Sequence, residues 1–91
     1  MRPIQWTEAA KMDLFALISV VASDNPSAAQ ALLTRIEASI LPAAHYPKMF
    51  REGRVADTRE IIAHPNNIVV YNVTSEYLLV LSVLHARQQF P

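Results

Sequence analysis

Between Ile68 and His85, apolar side chains fill both alternating positions of two consecutive strand-like runs. Ile68 and Val70 alternate with Val69, Tyr71 and Val73, while Leu79, Leu81 and Val83 alternate with Leu78, Val80 and Leu84. Neighbouring side chains of a strand point to opposite faces, so a sheet built on these runs has two apolar faces and needs a layer over each. The chain has 91 residues, enough for one domain spanning 1–91 with a modest core. One face can take the helices that the rest of the sequence forms. The other is expected to be covered by a partner chain.

Two helices are predicted upstream. Thr7 is suited to N-cap a first helix over Glu8 to Ser23, with Ala10, Leu14, Leu17, Ile18 and Val21 on one stripe, widened by Phe15 and Val20. Asn25 and Pro26 have N-cap and first-turn chemistry for a second helix carrying Ala29, Leu33, Ile36 and Ile40. Pro42 is expected to kink or stop it. The short joint makes the pair an antiparallel hairpin.

Ile4 and Trp6 alternate in a first short strand that Pro3 keeps near a sheet edge. After a loop containing Gly53, strands are expected over Thr58 to Ala63, Ile68 to Thr74 and Tyr77 to His85, joined by short turns as an antiparallel meander. The predicted order is β-α-α-β-β-β. This is an α+β fold, with an antiparallel helical hairpin packed on an antiparallel sheet.

Composition narrows the chemistry. Hydrophobic residues make up 52% and charged residues 18% of the chain, against roughly 25% charged in typical soluble domains. This excess of apolar surface again implies a partner. Eight basic residues balance eight acidic ones, which argues against a protein that lives on nucleic acid. The absence of cysteine excludes disulfides, thiol nucleophiles and thiolate metal sites. A single glycine excludes a glycine-rich phosphate loop, and His45, His64 and His85 have no metal-ligand spacing. Neither a metal nor an organic cofactor is expected. "LFALISVVA" looks like a signal-peptide core, but Glu8 and Asp13 occupy what would be the positive leader. This nine-residue run is also too short to span a bilayer, so a cytoplasmic protein with no membrane contact is expected.

The candidate functional residues cluster in two places. Arg51, Glu52, Arg54 and Arg59 precede the buried-looking strand, and His85 and Arg87 follow the last one. Cleavage of RNA requires a base, a proton donor and a cation for the developing charge. Arg59, His85 and Arg87 with Glu52 or Glu60 have those chemistries. Against this stand plainer readings: surface ion pairs for Arg51 and Arg54, a structural or partner-binding role for Arg59, and a hydrogen-bonded strand-end residue for His85. Tyr71 and Tyr77 read as sheet packing with the hydroxyl at the rim.

"GRVADTRE", then "NNIVVYNV" and "LLVLSVLHARQQFP", resembles the RelE/ParE superfamily of toxins from bacterial type II toxin–antitoxin systems. "IQWTEAAKMDLFAL" and "DNPSAAQALLTRIEASI" are similar to that family's two-helix start, so the resemblance covers nearly the whole chain. It implies the same helical hairpin on a sheet, and a cognate antitoxin that covers apolar surface as a hetero-oligomer. RelE-like members cut mRNA on the ribosome; ParE-like members poison DNA gyrase. By resemblance, Arg59 lies near an active-site arginine of one nuclease branch, His85 near its C-terminal histidine and Glu52 in its acid-bearing loop. Ala86 stands where that branch has a tyrosine. The neutral charge favours the ParE-like, non-enzymatic branch, with mRNA endoribonuclease as the alternative. A non-toxic antitoxin-binding module acting in transcriptional autoregulation is the reading from another class. Arg51, Arg54, Arg59, Tyr71 and Arg87 are the residues expected to bind the target or antitoxin.

Overall fold

The computed structural model describes residues 1–88. The order is β1 (Ile4–Trp6), α1 (Glu8–Asp24), α2 (Pro26–His45), β2 (Arg51–Glu52), β3 (Arg59–His64), β4 (Asn67–Val73) and β5 (Leu78–His85). The five strands form one sheet in the order β1-β5-β4-β3-β2. The meander β2-β3-β4-β5 is antiparallel, as expected. β1 joins its edge in parallel with β5, pairing Ile4 with Leu78. The helices intervene between these two strands, as a parallel connection requires. β2 is an addition to the predicted set, a two-residue strand within the expected loop.

Both caps form as the sequence implies. Thr7 Oγ1 accepts the Ala10 N–H at 3.0 Å. Asn25 serves both helices: its N–H donates to the Val21 carbonyl at 2.8 Å, and its Oδ1 accepts the Ala28 N–H at 3.1 Å. Pro42 does not stop α2. It has no N–H for the preceding turn, yet the helix continues to His45 and the Tyr46 N–H donates to the Pro42 carbonyl. The last turn buries Ala43 and Ala44, and the Ala44 carbonyl accepts from Arg2. Tertiary burial outweighs the local cost of the proline.

The main core lies between hairpin and sheet. Ala10, Ile36, Ile40 and Ala43 meet Ile61, Val69, Tyr71, Leu78, Val80 and Val83. A β-bulge sets this arrangement. Val70 pairs with Ser82 but Tyr71 pairs with Val80, so Leu81 is an extra residue in β5. The bulge reverses the parity of the strand. Val83 therefore faces the helices with Leu78 and Val80, rather than lying with Leu79 and Leu81 as strict alternation predicts. α1 ties down the bulge. Thr7 Oγ1 donates to the Leu81 carbonyl at 3.2 Å, and Asp13 Oδ2 accepts from Ser82 Oγ at 2.6 Å and from the Val83 N–H at 3.0 Å.

Gly53 is needed for a close approach. Its N–H donates to the Thr58 carbonyl, and an added Cβ would overlap the Thr58 hydroxyl. The left-handed residue of that loop is Asp57, with φ 65°.

Candidate functional site

The loop from β2 to β3 folds over the sheet face opposite the helices. Glu60 pairs with Val70 in register, and its side chain points to this outer face. The carboxylate is 3% exposed. A buried charge requires partners, and it has three. Arg51 Nη2 lies 3.0 Å from Oε1, Arg54 Nε lies 3.4 Å from Oε2, and the Arg54 N–H donates to Oε2 at 3.2 Å. Arg54 Nη1 also donates to the Gln88 carbonyl at 2.7 Å, fastening the turn after β5 to the same loop. Under this clamp lies a second apolar cluster of Ile68, Val70 and Leu84, with Leu81 and Ala86 against it. The outer face, expected to need a partner, is thus largely covered by the chain itself. Ile62 remains 60% exposed beside it.

Arg59 faces the other way. Its Nη1 donates to the Phe50 carbonyl at 2.7 Å and to the Lys48 carbonyl at 3.3 Å, holding the segment between α2 and β2. Arg59 and Glu52 are register partners, and both line a cleft of about 560 Å³ with Lys48, Thr58 and Asn72. The Asn72 Oδ1 is buried without a hydrogen-bond partner among the described residues.

Tyr71 is fully buried and presents no surface to a partner, which corrects its place among the binding candidates. Its hydroxyl donates to the Pro47 carbonyl at 2.5 Å, and its ring meets Phe50 edge-on with centroids 6.4 Å apart. Burial pushes its phenol above the ordinary range, and the nearby Arg59 charge offsets part of that rise.

His85 and Arg87 lie at the far end of the sheet. His85 pairs with Asn67 and Asn67 with His64, whereas Arg59 pairs with Tyr71. A bulge lies between Ile62 and His64, so the spacing is read on β4: four steps from Asn67 to Tyr71 separate the two rows, about 13 Å along the strand. Glu52 and Arg59 therefore share one site, and His85 with Arg87 another. The Arg87 N–H donates to His85 Nδ1 at 3.2 Å. Three participants escape a reading of the sequence: Asp13 at the bulge, Lys48 in the cleft, and the proximity of His64 to His85. Alternation in β5 conceals the bulge, and the two histidines approach only through strand register. Among the described residues, no group of three or more His, Cys, Asp or Glu is placed to hold a metal. No described helix is long and apolar enough to cross a membrane.

Residues 4–90 match the family model for the ParE toxin of the type II toxin–antitoxin system parDE. A Sinorhizobium fredii protein named "Putative toxin Y4kP" is 34% identical over 89 residues, covering 97% of this chain and 92% of that protein. Among solved structures, the chromosomal ParDE TA system from P. aeruginosa matches with a TM-score of 0.81 at 18% identity, over 93% of this chain and 96% of that one. A copper-bound mutant toxin from Helicobacter pylori matches at 0.61 and 19% identity, over 99% and 100% of the two chains. The E. coli DinJ-YafQ complex matches at 0.54 and 17% identity, over the full length of both chains. At these identities the structural matches speak to the fold, which is that of the RelE/ParE toxins.

Proposed function

The chain belongs to the ParE toxin family of type II toxin–antitoxin systems, and from that premise we propose that it arrests growth by acting on DNA gyrase until a cognate antitoxin binds it. The observation that carries the choice of mechanism is the separation of Arg59 from His85. The residues that resemble nuclease groups sit in rows about 13 Å apart along the sheet. No histidine lines the cleft of Glu52 and Arg59, and the acid that shares a cleft with His85, Asp13, has its Oδ2 committed to Ser82 Oγ and the Val83 N–H. General acid–base cleavage of one phosphodiester requires both within hydrogen-bond reach. The formal charge of zero adds to this, because a ribosome-dependent nuclease draws affinity from phosphate contacts.

The antitoxin is the proposed cover for α1. Met12, Phe15 and Val20 are 69%, 75% and 71% exposed on that helix. Beside them runs an apolar groove of about 500 Å³ that includes Trp6, Leu14, Ile18 and Leu33. An apolar strip of this kind suits the apolar face of a partner helix. The basic contacts proposed for antitoxin or target are the solvent-facing parts of Arg51 and Arg54, together with Arg59 and Arg87. Arg51 and Arg54 keep 52% and 38% of their side chains exposed despite their bonds to Glu60.

The test is induced expression in cells lacking the antitoxin, with DNA supercoiling and mRNA integrity read in one culture. Relaxed or broken DNA with intact mRNA is expected. Rapid cleavage of mRNA within reading frames would replace the gyrase reading with the endoribonuclease one.

A further inference from the structure

A groove of about 510 Å³ opens where the helical hairpin meets the His64–His85 end of the sheet. Its apolar wall comes from both helices and includes Leu17, Val21 and Leu32. Its polar rim comes from Arg35, His64, Asn67 and His85.

The rim is rich in donors. His64 Nδ1 accepts the Asn66 N–H at 3.1 Å, and His85 Nδ1 accepts the Arg87 N–H at 3.2 Å. A ring nitrogen that accepts a hydrogen bond carries no proton, so each neutral imidazole keeps its proton on Nε2. Both rings therefore offer an N–H rather than a lone pair at Nε2. That suits an oxygen acceptor and disfavours a metal ion. Arg35 Nε donates to the Ala63 carbonyl at 3.0 Å, which orients the guanidinium. Its terminal nitrogens meet no acceptor among the described residues.

Asn67 supplies an independent observation. It lies between the two histidines in register and lines the groove, and its side chain makes no hydrogen bond to the described residues, which leaves its amide open to the groove. Asp13 lies in an adjoining cleft with Leu17, Asn67 and His85, and its Oδ2 is already committed to Ser82 and Val83.

We infer that this groove binds a small amphipathic anion. Carboxylate or phosphate oxygens would meet Arg35, His64 and His85, and the apolar body would lie against Leu17, Val21 and Leu32. The volume falls in the range of small-molecule sites, roughly 300–1,000 Å³. The inference stands apart from the toxin reading, because the groove is remote from the cleft holding Glu52 and Arg59.

The experiment is an NMR titration of the full chain with benzoate, phenyl phosphate and benzyl alcohol. Benzoate or phenyl phosphate should saturate, moving the methyl resonances of Leu17, Val21 and Leu32 and the imidazole signals of His64 and His85. The tighter of the two identifies the head group as carboxylate or phosphate. Arg35→Gln and His85→Gln should each weaken that probe about tenfold, the scale of a lost hydrogen bond to an ion. His85→Gln leaves the Arg35–Ala63 bond in place, so it separates lost binding from a disturbed fold. Equal binding of benzyl alcohol, unchanged affinity in His85→Gln, or shifts confined to another surface would overturn the site.

Discussion

The outer face of the sheet and the outer face of α1 are both apolar, and the chain treats them in opposite ways. Val70 and Leu84 on the sheet are 0% and 2% exposed, although no helix lies over them. Phe15 and Val20 on α1 are more than two-thirds exposed. The difference arises from a charge. A buried Glu60 draws Arg51 and Arg54 over the sheet, and Arg54 also holds the turn at Gln88. Beside Phe15, Lys11 pairs with Glu8 at 3.2 Å on an exposed turn and draws no loop over the helix. An apolar surface flanked by ion pairs that bring their own loop along can be covered from within. One without such a latch waits for another chain.

The contrast breaks most visibly if the sheet side is emptied. Leu84→Ala should lower unfolding free energy by about 2–4 kcal/mol in urea denaturation, as for other buried leucines. A loss below about 1 kcal/mol would mean that the outer cluster is no real core. Next comes the bulge that divides β5 between the two faces. Asp13→Ala strands the Ser82 hydroxyl and the Val83 N–H, and should cost about 2 kcal/mol. Asp13→Asn keeps one acceptor and should recover part of that loss. If both variants were neutral, the bulge would be held by packing alone.

The latch is worth less than its geometry suggests. Arg54 is 38% exposed at the side chain, so solvent screens its pairing with Glu60. Arg54→Ala should cost about 1 kcal/mol, with a larger increase in amide exchange at Ala86 than at Val80. Equal exchange at the two positions would show that Arg54 does not hold the turn after β5. Tyr71 probes the opposite, helix-facing side of the sheet. Its phenol is raised from the ordinary value of 10.0, so it stays protonated in the fold after the unfolded chain has begun to ionise. Its contribution is therefore complete below about pH 10 and is lost as pH climbs through the raised value. Tyr71→Phe should flatten the fall in stability above pH 10 relative to the wild-type chain. An unchanged slope would show the phenol to be no more buried than in the unfolded state.

These outcomes bear on what the sequence can reveal. The caps at Thr7 and Asn25, the hairpin and the meander are local or periodic, and are legible from residue type and spacing. The continuation of α2 past Pro42 is not, because it depends on the burial of Ala43 and Ala44. The extra residue at Leu81 is hidden because nearly every neighbour is apolar, so alternation cannot register a slip. At the candidate site, the arginines stand out by their charge. Their shared acceptor does not, since Glu60 differs from Glu52 only in which side of its strand meets the solvent. Phe15 and Val20 fit a helical apolar stripe. Only the packing of α1 against β5 shows which part of the stripe faces outward.

The smallest expected change in stability gives the sharpest test of α1. Phe15→Ser and Val20→Ser remove apolar groups that touch mostly solvent, so each should alter unfolding free energy by less than about 0.5 kcal/mol. The same substitutions should weaken binding of the cognate antitoxin about tenfold or more if that chain covers the helix, because large apolar anchors carry much of an interface's energy. Arg87→Gln, in the turn after β5, serves as the reference in the same calorimetric titration. A loss for Phe15→Ser larger than for Arg87→Gln would make α1 the main antitoxin surface. The reverse order would move that surface to the turn after β5 and leave the bare face of α1 for a different partner, such as a second copy of this chain. Sedimentation of the free protein separates those two cases: Phe15→Ser would then lower its mass, and Arg87→Gln would not.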